Sequence, residues 1–373
     1  MIRELQLYCY PESRVYSAQQ LDALQSDIRS EQLSTQVAAL YSTQQLFLQE
    51  NAATAEGFVY TKKAFLQLCV LAAPGLSRLM QDLSGTIPRR YDSLYDAQLA
   101  IRTFNSVLNT RFRTLERFML VQNVTQKRIL GFVPARNYLL DNETWLDRIL
   151  DSLKFFEQEF VFSGARICEL AAAVWLKSKQ PAARVTIGNN KASIYDAAYY
   201  CNGESLNGVA RGARALQFSL GILLGSFKEH GGVARHSNLN FESAFDEMLD
   251  KVATTQLPLK DVTRAIHSLS EKKLADNFST MKSVRSIKRA LCAQLTDFKV
   301  NAAIAARAID RALYGERSPD EYFDDSSFLT SLTNRTWLDL LGHVLKDARG
   351  YAYSRREQIE QAIFDFLINH EGE

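Results

Sequence analysis

The spacing of apolar and polar residues changes character along this chain, from short mixed patterns before residue 241 to long helical patterns after it. Beyond Phe241, apolar side chains recur three and four residues apart, which is typical of amphipathic helices. This spacing predicts helices over residues 241–252, 259–269, 283–313 and 334–368. No strand pattern interrupts them. The sequence therefore predicts a helical lobe at the C-terminal end.

The part before residue 241 mixes helices and strands. Helical spacing covers residues 61–71 and 93–108, and one or two short helices are expected between 17 and 48, interrupted near Ser34. Asp141 is positioned to cap a helix that continues to Phe155 and buries Trp145. Strand-like runs occupy residues 129–133, 159–167, 171–177 and 184–187. Short connections between these runs predict an α+β protein, with an antiparallel sheet and helices, followed by the helical lobe.

The charge pattern suggests three regions. Residues 1–60 hold three bases and seven acids, for a net charge of −4, which predicts an acidic N-terminal segment. Residues 61–257 are expected to form an α+β core domain. Pro258 then interrupts the pattern, and residues 258–373 form the helical lobe.

The most biased stretch is residues 199–240, which combines clustered glycines with basic side chains and two of the five histidines. Glycine permits close backbone approach and positive φ, and bases beside such backbone suit a phosphate or another anion. We expect a loop over residues 202–208, followed by a helix. The apolar residues assigned to that helix are Val209, Ala213, Leu216 and Leu220.

Charge is sorted along the chain, although the net charge is only +2. Residues 102–136 hold seven bases and one acid, whereas residues 318–373 hold five bases and eleven acids. Such sorting is typical of a nucleic-acid surface with acidic flanks, but also of surfaces that neutralise each other inside the fold or between subunits. The sequence leaves both alternatives open.

A nucleic-acid surface would use Lys and Arg for phosphates and aromatic rings for stacked bases. The candidate contact residues are Arg111, Arg113, Arg117, Lys127, Arg128, Arg211, Arg214, Lys228, Arg235 and His236. The candidate stacking rings are Phe112, Phe118, Tyr199 and Tyr200. The alternative is that these phenylalanines lie in the core with the arginines around them.

Signals for an enzyme are missing. The sequence lacks a phosphate-binding loop, a zinc-protease helix and a nucleophile-elbow motif, so we predict no catalytic residues and no cofactor. The five cysteines form no metal-binding or disulfide pattern, and no metal is expected. Two alternatives stay open: a metal site at His230 and His236 with Glu229 or Glu242, and a thiolate at Cys201 with His230 as its base.

Membrane insertion is not expected. The apolar run over residues 64–74 is far shorter than the roughly 20 residues that cross a bilayer. The N-terminal residues show no secretory-signal pattern, which predicts a cytoplasmic protein.

One segment carries a family resemblance. Residues 128–143, RILGFVPARNYLLDNE, resemble a glycine, tyrosine and asparagine pattern of phage- and plasmid-like proteins grouped as a domain of unknown function. Gly164, the turn at 204–208 and Arg235-His236 follow in the same order, so the resemblance covers about residues 60–255. Residues 223–226 depart from it, since the family usually has Cys-x-Asn-Gly there. The resemblance implies an α+β fold, a mobile-element source and a role in DNA metabolism.

These observations predict a non-catalytic nucleic-acid-binding protein of phage or plasmid type, which handles single-stranded DNA or RNA and forms a homo-oligomer. The alternative is a structural or interaction protein of a phage assembly or defence system. In that case, complementary charge blocks would drive its oligomerisation.

Overall fold

The protein has the predicted α+β architecture: two sheets with packed helices, followed by a helical C-terminal region. The computed structural model describes residues 14–40, 43–48, 54–55, 57–72, 94–111, 115–137, 140–168, 171–187, 190–203, 208–218, 221–237, 239–278, 284–297, 300, 302–314, 330, 332–348 and 353–369. The Pro319 linker and the residues Phe112 and Arg113 lie outside these ranges.

The larger sheet is antiparallel and confirms the strand predictions for residues 159–167, 171–177 and 184–187. Its strands are β1 (Arg14–Ser17), β7 (Phe160–Cys168), β8 (Ala171–Ser178), β9 (Ala183–Ile187), β10 (Asn190–Gly203), β11 (Val209–Phe218), β12 (Gly221–Leu224) and β13 (Gly231–Arg235). The main order is β1-β7-β8-β10-β11-β12, while β9 pairs with β10 and β13 pairs with β11.

The larger sheet is strongly coiled. The Ser163 hydroxyl on β7 donates a 2.7 Å hydrogen bond to Gln217 Oε1 on β11, although β8 and β10 lie between these strands. Three strand spacings in a flat sheet amount to about 14 Å. Two short side chains meet across that distance only if the sheet curves over this face.

The smaller sheet has the order β2-β5-β6-β4-β3 and lies against two helices. Its strands are β2 (Thr35–Ala39), β3 (Thr54–Ala55), β4 (Phe58–Tyr60), β5 (Phe118–Asn123) and β6 (Arg128–Pro134). Helices α1 (Leu21–Ser34), α2 (Lys62–Ala72) and α3 (Leu94–Thr110) belong to the same half of the chain. The Thr61 hydroxyl accepts from the backbone N–H of Ala64 and caps α2, whose Phe65 packs with Phe104 of α3.

Three helices cover one face of the larger sheet: α1, α4 (Asn142–Asp151) and α5 (Phe241–Thr254). The Asp141 carboxylate caps α4 as expected, because it accepts from the backbone N–H of Thr144 at 2.7 Å. Trp145 and Phe245 are fully buried against this face. Burial of each such ring contributes about 1.5–3 kcal/mol to folding.

The helical C-terminal prediction is confirmed. Its helices are α6 (Leu259–Glu271), α7 (Val284–Asp297), α8 (Ala302–Tyr314), α9 (Trp337–Ala348) and α10 (Tyr353–Asn369). Ile287 and Leu291 of α7 and Ile304 of α8 are buried in one core, which also includes Leu216 and Leu223 of the sheet. The apolar stripes of these helices therefore pack within the chain itself.

Two element predictions are wrong. Residues 209–218 form strand β11 rather than a helix, because β11 is a central strand whose side chains are buried on both faces. Such a strand lacks alternation, and its apolar run cannot be distinguished from a helix by spacing. Residues 35–39 form β2 rather than a second short helix, and α1 ends at Ser34 as expected.

Candidate functional site

The strand conformation of β11 separates two of the predicted contact residues. Arg211 and Arg214 are three residues apart, so they would share a face on a helix but lie on opposite faces of a strand. The surroundings of the two side chains confirm that they lie on opposite faces. Arg211 pairs with Glu357 of α10, whereas Arg214 lies beside Phe156, next to α4. These two arginines cannot contact one nucleic-acid strand together.

Arg214 is 5% exposed and forms an ion pair with Asp196 of β10. Its guanidinium carbon lies 5.1 Å from the Phe156 ring centroid and 5.0 Å from that of Phe160. Burial lowers the pKa of Arg214 and raises the pKa of Asp196, because each charge is taken out of water. The prediction that Arg214 contacts a nucleic acid is therefore wrong for this fold: its side chain is an internal contact between strands.

Arg211 lies on the opposite face and binds the C-terminal helix. Its Nη1 is 2.9 Å from Glu357 Oε2, and the hydroxyl of Tyr199 donates to Glu357 Oε1 at 3.0 Å. Burial raises the pKa of Glu357, against the opposing influence of the Arg211 charge. The acidic C-terminal segment thus neutralises one base of the stretch 199–240 inside the chain.

A second ion pair lies next to the first on α10. Arg356 Nε is 2.6 Å from Glu360 Oε1, and both side chains are buried. The Arg356 guanidinium carbon also lies 5.5 Å from the Trp175 ring centroid. Because Arg356 and Glu360 are four residues apart on one helix, their ion pair fixes these two side chains within α10, and Arg356 makes the contact with the sheet through Trp175. We name the residues Tyr199, Arg211, Arg356, Glu357 and Glu360 the docking cluster.

His236 is a structural residue. It is 1% exposed, and its Nε2 lies 3.1 Å from Oδ1 of the fully buried Asn202. The Asn202 amide donates to the Leu140 carbonyl and to Asn142 Oδ1, each at 3.0 Å. The prediction that His236 contacts a nucleic acid is wrong for this fold: His236 joins the end of β13 to Asn202 of β10, and Asn202 in turn bonds to the start of α4.

The glycines of residues 199–240 serve close packing. A Cβ on Gly231 would overlap the Gly212 carbonyl oxygen, and one on Gly232 would lie 3.1 Å from the Met248 backbone. A Cβ on Gly212 would lie 2.8 Å from the Tyr200 ring. These positions bring β13 against β11 and α5 against the sheet, which explains the glycine bias without a phosphate loop.

The predicted stacking rings with described side chains are buried or half-buried. Tyr199 is 3% exposed and Tyr200 is fully buried, so these predictions are wrong. Phe118 is half-buried and packs against the core of the smaller sheet. Cys201, the alternative nucleophile, is buried in a cluster with Ala173 and Ala213. Within the part of the chain that the structure describes, no three His, Cys, Asp or Glu residues form a possible metal site.

Most of the other predicted basic residues lie at the surface. Arg111, Arg117 and Lys127 are exposed, Arg128 is half-buried, and the neighbouring Arg136 is exposed. Arg117 and Arg136 lie at one end of the β5–β6 hairpin, since the Ala135 N–H donates to the Arg117 carbonyl at 2.8 Å. Lys127 and Arg128 lie at its opposite end, where Lys127 has φ 51° in the turn. Arg111 follows α3, and its carbonyl accepts from the N–H of Leu115 at 3.2 Å, two residues before Arg117. We name the three exposed arginines Arg111, Arg117 and Arg136 the basic end.

Lys228 and Arg235 are also exposed, but each belongs to a different part of the larger sheet. Arg235 ends strand β13, opposite Val209 of β11. Lys228 lies in the turn before β13, and its carbonyl accepts from Lys251 Nζ at 2.7 Å. Both residues are available to solvent, and their contact with nucleic acid stays a prediction.

Sequence reasoning missed the docking cluster. Glu357 and Glu360 occupy buried positions on a helix whose Ile363 and Phe364 are also buried. Carboxylates at the apolar positions of a helix are the only sequence signal for such a cluster. Tyr199 and Arg211, the sheet partners of Glu357, are more than 140 residues away in sequence, so spacing cannot identify them.

Comparisons with protein-family models, curated proteins and solved structures give no match for this chain. The resemblance of residues 60–255 to phage- and plasmid-like proteins therefore stays a prediction. Within the described ranges, no helix is both long and apolar enough to cross a membrane.

Proposed function

We propose that the protein binds nucleic acid without catalysis, through contacts between the basic end and backbone phosphates. The observation that carries this proposal is the exposure of Arg111, Arg117 and Arg136 within a segment that holds seven bases and one acid. None of these three arginines forms an ion pair with a residue that the structure describes. Exposed, uncompensated guanidinium groups suit phosphates, which they bind in bidentate geometry.

The structure narrows the predicted contact set. Arg214 and His236 are internal, and Arg211 is held by Glu357. Among residues 94–137 with described side chains, no aromatic ring is exposed. The described side chains of the basic end therefore offer phosphate contacts, and such contacts carry affinity rather than sequence preference.

The test is a titration of fluorescent single-stranded and duplex oligonucleotides with the full chain and with the triple variant Arg111→Ala, Arg117→Ala, Arg136→Ala. The slope of log affinity against log salt is negative, and each lost phosphate contact is expected to make it shallower by about 0.7–0.9. A variant with Arg285→Ala and Arg289→Ala is the control, because both arginines are exposed on α7. Equal slopes for the triple variant and the wild type would remove the basic end from the proposal.

Charge complementarity supports a second candidate, a structural protein that assembles through its charge blocks. The Arg211–Glu357 ion pair, which joins a base of the stretch 199–240 to the acidic C-terminal segment, supports this candidate. If copies mate in the same way, light scattering will show an oligomer in low salt that dissociates as salt is raised. A constant monomer mass across the salt series would contradict this candidate.

A further inference from the structure

A hairpin extends from the larger sheet toward the C-terminal helices. Strand β9 pairs with the first five residues of β10, from Ile187 opposite Asn190 to Ala183 opposite Ile194. We name the described residues of this hairpin, 183–187 and 190–194, the arm. Val185 and Ile194 on one face of the arm are buried in the core that the C-terminal helices share. Because side chains alternate along a strand, the other face of the arm is directed away from that core.

This outer face is basic and rich in hydroxyl groups. Arg184 lies opposite Ser193, and Thr186 lies opposite Lys191. Arg184, Thr186 and Lys191 are exposed, while Ser193 is half-buried. The same face continues along β10 to Tyr195, since residues two apart share a face. Lys177 of β8 belongs to it, because its Nζ lies 4.4 Å from the Tyr195 ring centroid. We name these six residues the arm face.

The positive charge of the arm face is not neutralised by the described residues. Neither Arg184 nor Lys191 forms an ion pair with any of them. The nearby carboxylate of Glu159 is held by Lys179 Nζ at 3.0 Å. Asp196 follows Tyr195 but lies on the opposite face, where it pairs with Arg214. Three bases thus share one face, and the neighbouring acids have other partners.

The dimensions of the arm face suit an extended polyanion. Residues 191 to 195 span about 13 Å along the strand. Each strand of a duplex carries one charge per about 3.4 Å of helix axis, and the phosphates of an extended single strand lie farther apart, so this length suits a few successive phosphates at most. Hydroxyl groups can donate to phosphate oxygens that lie between the Lys and Arg contacts. The half-buried Tyr195 ring offers a surface on which a nucleobase can stack. Near the basic end, the half-buried Phe118 belongs to the core of the smaller sheet.

We propose that the arm face is a separate binding site for single-stranded nucleic acid, in which Arg184 and Lys191 bind phosphates and Tyr195 stacks on a base. The proposal rests on the proposed function only for its ligand class. In this proposal, the preference for single strands over duplexes comes from residues of the arm face and not from the basic end.

The test compares variants of the full chain in binding to a fluorescent single-stranded 20-nucleotide probe and to the matching duplex. Arg184→Ala with Lys191→Ala is expected to weaken single-strand binding about tenfold and to lower the salt slope by about 1.5. Arg184→Lys with Lys191→Arg keeps the charge and is expected to retain affinity. Arg285→Ala with Arg289→Ala is the matched control, with the same loss of charge on an exposed helix face.

Stacking is tested by Tyr195→Ala, which is expected to weaken single-strand binding about tenfold and to leave duplex binding unchanged. Polyphosphate of matched charge serves as a competitor without bases and should compete less well than the oligonucleotide. Thermal melting of each variant confirms that it is folded.

Each contrary result has a distinct meaning. If the wild type binds and the Arg184 and Lys191 variant matches the control, the arm face is not a binding site, although the proposed function stands. If Tyr195→Ala binds like the wild type and polyphosphate competes equally, the arm face is a general anionic-ligand surface and the single-strand proposal is wrong. Absence of wild-type binding to every probe overturns both this site and the proposed function.

Discussion

At the scale of single residues, burial decides which charged groups act at the surface and which hold the fold together. Arg214 and Arg117 are the same residue type, but one is enclosed by Phe156 and Phe160 whereas the other is exposed. Burial of an unpaired charge is costly, so an internal arginine must keep its carboxylate partner. The exposed arginines have no such requirement and can bind a ligand.

Glu357 leads to a prediction on pH. Because burial raises its pKa above the ordinary value of 4.5, the folded state holds this proton more tightly than the unfolded state. The free energy of unfolding is therefore expected to fall as pH rises above about 4.5, through the folded-state pKa of this group. Glu357→Gln, which cannot ionise, should flatten that part of the profile. Urea unfolding at a series of pH values measures it, and parallel profiles for the two proteins would contradict the account.

Asn202 leads to a prediction on stability. Its fully buried side chain bonds to His236, Leu140 and Asn142. Asn202→Ala removes these bonds and leaves buried groups unsatisfied, so we expect a loss of about 2–3 kcal/mol in the free energy of unfolding. Asn334→Ala at an exposed position is the control, and it should stay within about 0.5 kcal/mol of the wild type. A similar small loss for both variants would contradict the structural role of Asn202.

At the scale of elements, the accuracy of the sequence predictions follows from the periodicity that each element needs. The C-terminal helices bury one stripe, so residues such as Ile287 and Leu291 recur with helical spacing and reveal the element. Strand β11 is buried on both faces and has no such contrast. If this segment were a helix, the spacing of Arg211 and Arg214 would place them on one face. In the strand, they lie on opposite faces of the sheet.

The close packing of β13 on β11 leads to an element-scale prediction. Gly231→Ala would place a methyl group against the Gly212 carbonyl and 2.6 Å from the Ala213 Cα, so one strand must move. We expect a loss of about 3 kcal/mol or more in the free energy of unfolding, or no folded protein. Gly203→Ala is the matched control, since its Cβ would lie 3.8 Å from the nearest atom, the Val209 carbonyl oxygen. Thermal melting distinguishes the two, and equal melting temperatures would contradict the packing described.

At the scale of the whole molecule, the charged side chains of these segments occupy two kinds of position, internal ion pairs and the exposed surface. Arg211, from the stretch 199–240, pairs with Glu357 of the acidic C-terminal segment inside the chain. Other bases stay at the surface, in the basic end and in the arm face. Charge counts along the sequence detected the uneven distribution of charge. They could not distinguish paired from exposed bases, because only the fold brings the partners together. The arm face was missed for the same reason, since its residues are dispersed between 177 and 195.

The most direct test of the central claim is the salt dependence of nucleic-acid binding by the purified full-length protein. The account predicts that log affinity for a single-stranded probe falls linearly with log salt, with a slope of about −2 or steeper, since at least three phosphate contacts are proposed. A slope near zero, or no binding at low salt to either single-stranded or duplex probes, would contradict it.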